Sequence, residues 1–163
     1  MKDFRHKKSR FKRNIRSLLY NYLLNKYCKD CVSVLDIGCG EGQFLDIAKE
    51  KGFIAKGIDL NKKNIRKGVM IMDFKDIKTN YDVFFSSQFI EHINHLEYFK
   101  TAQEYCNKVI ITITMKPCDE FWDSPDHIRP FTSRTLKELH RTHGFKTELA
   151  ICVGKNVIGV GVR

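Results

Sequence analysis

The chain has 163 residues, 42% hydrophobic and 29% charged, which is the size and composition of one globular domain, and any ligands it binds are expected to share one crevice. No apolar run approaches the roughly 18 residues of a membrane-spanning helix, and no apolar signal-peptide core follows the basic N-terminus, so a cytoplasmic location is expected. The net charge is +10, and residues 1–16 hold Lys2, Arg5, Lys7, Lys8, Arg10, Lys12, Arg13 and Arg16 against the single acid Asp3; that block suits nucleic acid, a phosphorylated metabolite or an anionic membrane surface, or else forms a solvated tail.

Phe11, Ile15, Leu18, Leu19, Tyr22, Leu23 and Tyr27 recur at helical spacing, which predicts an amphipathic helix over 11–27 with its stripe in the core. Strand and helix signals then alternate. Strands are predicted over Val32–Ile37, Phe53–Ile58, Val69–Met72, Tyr81–Ser86 and Lys108–Thr114. Helices are predicted over Glu41–Lys51, Lys62–Lys67 and Glu91–Cys106. Met115–Phe131 carries Pro117 and Pro125 and reads as a long loop. Thr132 or Ser133 caps a helix running to His143. Phe145–Val153 and Val157–Arg163, joined by Gly154-Lys155-Asn156, read as an antiparallel hairpin. The alternation predicts an α/β fold, a mostly parallel sheet of seven strands with helices on both faces and one terminal antiparallel hairpin. Residues 1–30 form the basic segment and first helix and 31–163 the ligand-binding domain, one structural unit overall.

The six cysteines lack the spacing of a disulfide framework, which fits reduced thiols. Cys28 and Cys31 form a C-x-x-C pair. The pair is half of a zinc set at most, because tetrahedral zinc needs four ligands and no second pair follows; two thiols near a helix end is the preferred reading.

The strongest local signal is Asp36-Ile37-Gly38-Cys39-Gly40-Glu41-Gly42-Gln43, where the first strand turns into a helix. Glycines there let the backbone turn tightly and approach a ligand closely. A dinucleotide fingerprint would be G-x-G-x-x-G, but Gln43 stands at the third glycine position, and the spacing is D-x-G-x-G-x-G. Asp36 and Glu41 flank the place where a pyrophosphate would sit against a helix N-terminus and would repel it. Acids suit a ligand with cationic parts, such as the ammonium and sulfonium of S-adenosylmethionine, while the amides stay available to its carboxylate.

From about residue 30 onward the chain resembles the class I S-adenosylmethionine-dependent methyltransferases, small members of the type 11, 12 and 23 kinds. The resemblance implies a doubly wound, Rossmann-like fold. It also implies cofactor-binding roles for Asp36, Gly38, Cys39 and Gly40 in the turn, and for Asp59, which lies 21 residues after Gly38 in Gly57-Ile58-Asp59-Leu60-Asn61. An acid at that position accepts the ribose hydroxyls, with Leu60 packing on the adenine. Asp73 of Met72-Asp73-Phe74 is implied to bond the adenine amino group beside Phe74, although Asp73 also suits an Asx-turn. Ser87 and Gln88, at the end of the fourth strand, are implied to lie beneath the reactive methyl group.

Gln88-Phe89-Ile90-Glu91-His92-Ile93 resembles the E-H-I/L/V signature of a large methyltransferase subgroup. His92 has an intrinsic pKa suited to a base near neutrality, and His92 and Glu91 equally suit orienting the loop or charging a helix N-terminus. Asp126-His127-Ile128-Arg129-Pro130-Phe131-Thr132 resembles a D-H-x-R-x-F-T segment found in many superfamily members, including ones near glycan and lipid pathways. Its His127 and Arg129 face an anionic or polyhydroxylated substrate in that reading. Phe121 and Trp122 form an aromatic wall or staple the loop. The expected catalytic set is His92, Glu91 and His127, acting on an O or N nucleophile of a small molecule, lipid or glycan.

Two alternatives stand beside this. Small-RNA ribose 2′-O-methyltransferases hold a divalent metal with an E-x-x-E-H cluster and a later histidine. The matching positions here are Gln88, Glu91, His92 and His127, and Gln88 replaces a carboxylate that a hard cation would want, so a metal is not favoured. In that reading residues 1–16 grip phosphates. The other alternative is a catalytically silent, cofactor-binding partner protein.

Overall fold

The structure, a computed structural model, describes the backbone of residues 2–163 and the side chains from Asn14 onward. The basic side chains of residues 1–13, through which a polyanion was expected to bind, lie outside the described residues. The elements follow in the order α1 (Lys2–Tyr27), β1 (Ser33–Ile37), α2 (Gln43–Glu50), β2 (Ile54–Asp59), β3 (Val69–Ile71), β4 (Tyr81–Ser87), α3 (His95–Tyr105), β5 (Cys106–Met115), α4 (Ser133–Thr142), β6 (Lys146–Val153) and β7 (Asn156–Val162). They form one seven-stranded sheet in the order β3-β2-β1-β4-β5-β7-β6. Strands β1 to β5 pair in parallel, and β7 pairs antiparallel with both β5 and β6. This is the doubly wound sheet with a terminal hairpin that the alternation predicts.

The central strands read as continuous apolar runs because both of their faces are covered. Val34, Val83, Phe85 and Ile111 join a core with Leu23 and Leu24 of α1 and Leu45 and Ala48 of α2. Leu35, Phe84 and Ile110 join the opposite core with Tyr98 and Phe99 of α3 and Leu136 of α4. α1 is held by its aromatic face: the Tyr20 ring meets Phe44 and Phe85 edge-on at 5.5 and 5.1 Å, and its hydroxyl donates to Ser87 Oγ at 3.2 Å. Asp82 has a structural part at the start of β4, where Oδ2 accepts the Val32 and Ser33 amides at 2.7 and 3.2 Å.

Of the boundaries that differ from expectation, three have a clear local cause. The helix expected over Glu91–Cys106 is a 3₁₀ turn at Ile90–His92 followed by α3 from His95. Asn94 takes the cap, its side chain accepting Leu96 N at 3.1 Å, so the α-helix starts after it. The helix expected over Lys62–Lys67 shrinks to a 3₁₀ turn, Lys62–Asn64, capped by Asn61; it has no buried side chain to hold a longer helix. Asn156 opens β7 rather than ending the turn, which leaves Gly154-Lys155 as a two-residue loop with Gly154 at φ +58°.

Gly57 of β2 lies under the glycine turn. A Cβ at this position would stand 2.7 Å from Cys39 Sγ and 3.0 Å from Cys39 Cβ. Gly57→Ala is therefore expected to destabilise the fold by about 1–3 kcal/mol through overpacking, seen as a lower urea midpoint. An unchanged midpoint would contradict this packing.

Candidate cofactor and transfer site

The strand order reverses between β1 and β4, and in such sheets ligands bind beyond the C-terminal strand ends at that switch point. The glycine turn sits there. Gly38, Gly40 and Gly42 all adopt positive φ (71°, 51° and 75°), conformations that non-glycine residues resist. The β1–β2 register sets Ile37 beside Ile58, and Ile58 O accepts the Gly38 and Cys39 amides at 2.9 and 3.0 Å. The next residue, Asp59, then meets the turn: Oδ2 accepts Gly40 N at 2.8 Å and Oδ1 accepts Asn61 N at 2.7 Å.

Two cavities meet at Gly38. One, of about 300 Å³, is the more polar of the two and is lined by Asp36, Gly40, Gln43, Ser87 and Gln88 from the sheet side and by Arg16 and Tyr20 from α1. The other is an apolar slot of about 70 Å³ between Ile37, Ile58, Leu60, Phe74 and Phe89, with Asp59 and Asp73 also lining it. Phe89 stands 2.3 Å from where a Cβ on Gly38 would lie, so only glycine fits there. Asp36 is 4% exposed. Burial, and then the charge of Asp59, push its carboxyl up to about 8. Asp73 Oδ1 accepts Lys75 N at 3.1 Å and caps the 3₁₀ turn Phe74–Asp76.

At the end of β4, Gln88 holds φ 55°, the one positive φ among the described non-glycine residues. Its amide donates to Ile113 O at 2.8 Å, and its side-chain Nε2 donates to Asn156 Oδ1 at 3.1 Å. A bulky residue in that region of φ/ψ is strained, and here the bonds on both sides hold it.

Glu91 points inward. It is fully buried, Oε2 accepts Thr114 Oγ1 at 2.9 Å, and Oε1 has no protein partner. Burial raises its pKa, against the weaker opposing bond from Thr114. Its backbone oxygen accepts Ile128 N at 2.7 Å, which fastens the 116–131 loop over the strand ends. His92 and His127 are brought together with ring centroids 4.6 Å apart. His127 Nδ1 donates to Phe121 O at 2.6 Å, which leaves Nε2 as the acceptor. His92 Nδ1 lies 3.1 Å from Asp126 Oδ2, which likewise leaves its Nε2 basic. Asp126, His92 and His127 each offer a ligand-type atom within 4.8 Å of the others. Phe121 is buried under the His127 ring at 4.6 Å, whereas Trp122 is 66% exposed. Arg129 approaches His95 Nε2 at 3.2 Å.

Sequence reasoning missed Arg16 and Tyr20 as walls of the polar cavity, and Asp126 as the partner of His92. The first two sit on a helix whose stripe reads only as core. Asp126 lies inside a motif that drew attention to its neighbours.

Sheet order, glycine turn and switch-point crevice together define the class I S-adenosylmethionine-dependent methyltransferase fold. Residues 4–150 match the family model described as a methyltransferase domain, and the chain belongs to that family. Among solved structures it is similar to a SAM-dependent methyltransferase from Archaeoglobus fulgidus (TM-score 0.72, 21% identity, 94% of this chain and 98% of that one). It is also similar to magnesium protoporphyrin IX methyltransferase from Synechocystis PCC 6803 with bound SAH (TM-score 0.75, 13% identity, 93% and 83%). A curated relative, ubiquinone biosynthesis O-methyltransferase of Pelagibacter ubique (strain HTCC1062), is 30% identical over 82 residues; the match spans 42% of this chain and only 34% of that protein. Among the described residues no helix is long and apolar enough to cross a membrane.

Proposed function

We propose that this methyltransferase acts on an oxygen or nitrogen nucleophile of a small molecule, lipid or glycan held under the 116–131 loop. The observation that carries this is the pair of histidines at the loop, each with Nδ1 engaged by a neighbour and Nε2 left basic. The names of similar proteins agree with a small acceptor: one is a ubiquinone biosynthesis O-methyltransferase and another a 1,6-didemethyltoxoflavin-N1-methyltransferase. A cytoplasmic location fits the six free thiols.

The crevice fits the cofactor by its division. The apolar slot would suit a flat base between Leu60 and Phe74, where Asp59 would hold the ribose hydroxyls and Asp73 the adenine amino group. The polar cavity would suit an amino-acid tail and a sulfonium: Asp36 would balance the positive charge, the Arg16 guanidinium would hold the carboxylate, and Ser87 and Gln88 would line the rest. When bound, S-adenosylmethionine supplies a methyl group activated for in-line displacement. His92, oriented by Asp126 through Nδ1, removes the acceptor proton at Nε2, and His127 holds the acceptor. Glu91 positions the loop from below through its backbone oxygen. His92→Ala is expected to lower turnover about 100-fold with cofactor affinity unchanged, read as S-adenosylhomocysteine release on a panel of phenols, amines, lipids and glycans. Full turnover in that variant would remove His92 from proton transfer.

A second reading is metal-assisted methylation of an RNA ribose 2′-oxygen, favoured by the convergence of His92, Asp126 and His127. Asp126 would supply the anionic ligand that Gln88 lacks. Turnover that vanishes with a chelator and returns with Mg²⁺ or Mn²⁺ selects this reading; turnover indifferent to chelation selects the first.

A further inference from the structure

The C-x-x-C pair lies away from the crevice, at the far end of α1, and the methyl-transfer chemistry has no use for it. Cys28 continues the helix by donating its amide to Leu24 O at 3.1 Å, and Cys31 N donates to Cys28 O at 3.2 Å. That bond closes a turn over Cys28-Lys29-Asp30-Cys31, and such a turn holds its first and fourth Cα atoms within about 7 Å, the reach a disulfide requires. The two sulfurs differ in access: Cys28 is 1% exposed, and Cys31 is half-buried at the surface. They also differ in acidity. A hydrogen bond from the Cys28 thiol, aided by the nearby Lys108 amine, lowers the pKa of Cys31 against its partial burial and the charges of Asp82 and Asp30; the Cys28 thiol is raised by the same bond and by burial. Among the described residues no third histidine, cysteine or carboxylate forms a metal-ligand group with the pair.

We propose that Cys28 and Cys31 are a reversible thiol–disulfide exchange site, with Cys31 as the attacking and Cys28 as the resolving sulfur toward small-molecule disulfides of the glutathione type. The Cys31 thiolate attacks one sulfur of the oxidised tripeptide, breaks its S–S bond, releases one tripeptide thiolate and leaves a mixed disulfide. The Cys28 sulfur then attacks the Cys31 sulfur and expels the second tripeptide thiolate. Two protein thiols are oxidised by two electrons, one disulfide is reduced to two thiols, and the proton of Cys28 passes to the leaving thiolate or to water. The closed ring would tie the last turn of α1 to the segment entering β1, and α1 is the helix that carries Arg16 and Tyr20 over the crevice.

The test titrates the full-length protein with mixtures of oxidised and reduced glutathione, blocks the remaining thiols by alkylation, and maps the products by mass spectrometry. The expected result is loss of two alkylatable thiols, both in the 28–31 peptide, with no added tripeptide and full reversal by dithiothreitol. Cys28→Ser should instead stop at a stable glutathione adduct on Cys31, and Cys31→Ser should leave Cys28 alkylatable once the chain is unfolded. Thiols at 28 and 31 that stay alkylatable under a large excess of oxidised glutathione, or oxidation appearing at the exposed Cys152 while the pair stays reduced, would overturn the proposal.

Discussion

Asp59→Ala is expected to weaken S-adenosylmethionine binding by one to two orders of magnitude, the largest loss of any single substitution in the crevice. An ionised acceptor to ribose hydroxyls is worth roughly 1.5–3 kcal/mol, which is about 10- to 150-fold in affinity. The same carboxylate holds Gly40 N and Asn61 N, so its removal also loosens the turn that shapes the polar cavity. Asp59→Asn separates the two contributions: it keeps one acceptor for the turn but loses the charge, and its affinity should fall between parent and alanine variant. Calorimetric titration reads both. An alanine variant that binds as tightly as the parent would remove Asp59 from the cofactor site.

Asp36 should couple protons to both stability and binding. Its folded-state pKa of about 8 lies above the ordinary carboxylate value, so between about pH 4 and pH 8 the folded chain keeps a proton that the unfolded chain has given up. Stability contributed by this group is therefore present at low pH and lost as pH rises through that window, on the order of 5 kcal/mol across it. Asp36→Asn, isosteric and uncharged, should gain stability relative to the parent progressively from pH 4 to pH 8 and level off above. Binding reverses the logic. A cationic ligand in the cavity favours the ionised form, so cofactor binding at pH 7 should release close to one proton from the parent. The release appears as a binding enthalpy that varies with the ionisation heat of the buffer, and the asparagine variant should lose most of that dependence. Equal proton release in both proteins would show that Asp36 does not face the cofactor's positive charge.

The parts of this site legible in sequence are those where local spacing and sheet register carry the same information. Alternating apolar runs specify the parallel sheet. Once β1 and β2 are neighbours, the acid that ends β2 must lie against the glycine turn that ends β1, and Asp59 bonds Gly40 as that geometry requires. Legibility fails where a residue acts through a contact distant in sequence. Tyr20 reaches Ser87 across 67 positions, and nothing local on α1 distinguishes a cavity wall from a core stripe. Glu91 suits a catalytic part or a helix-terminal charge by its local sequence, and its contact with Thr114, 23 residues away, is invisible there. His92 and His127 were singled out from two separate motifs, but their meeting and the orienting Asp126 depend on how the 116–131 loop folds back on the Ile90–His92 turn. Helix boundaries fail for smaller reasons: Asn94 caps the chain later than the apolar spacing suggests, and the turn after Asn61 buries no side chain that would prolong it.

The most direct test of the central claim is incubation of the full-length protein with methyl-labelled S-adenosylmethionine and a fractionated cell extract, followed by location of the label. The account predicts label in a small-molecule, lipid or glycan fraction, with matching S-adenosylhomocysteine, and loss of that label in the Asp59→Ala protein. Label entering RNA, or cofactor bound but no label transferred to any fraction, would contradict it.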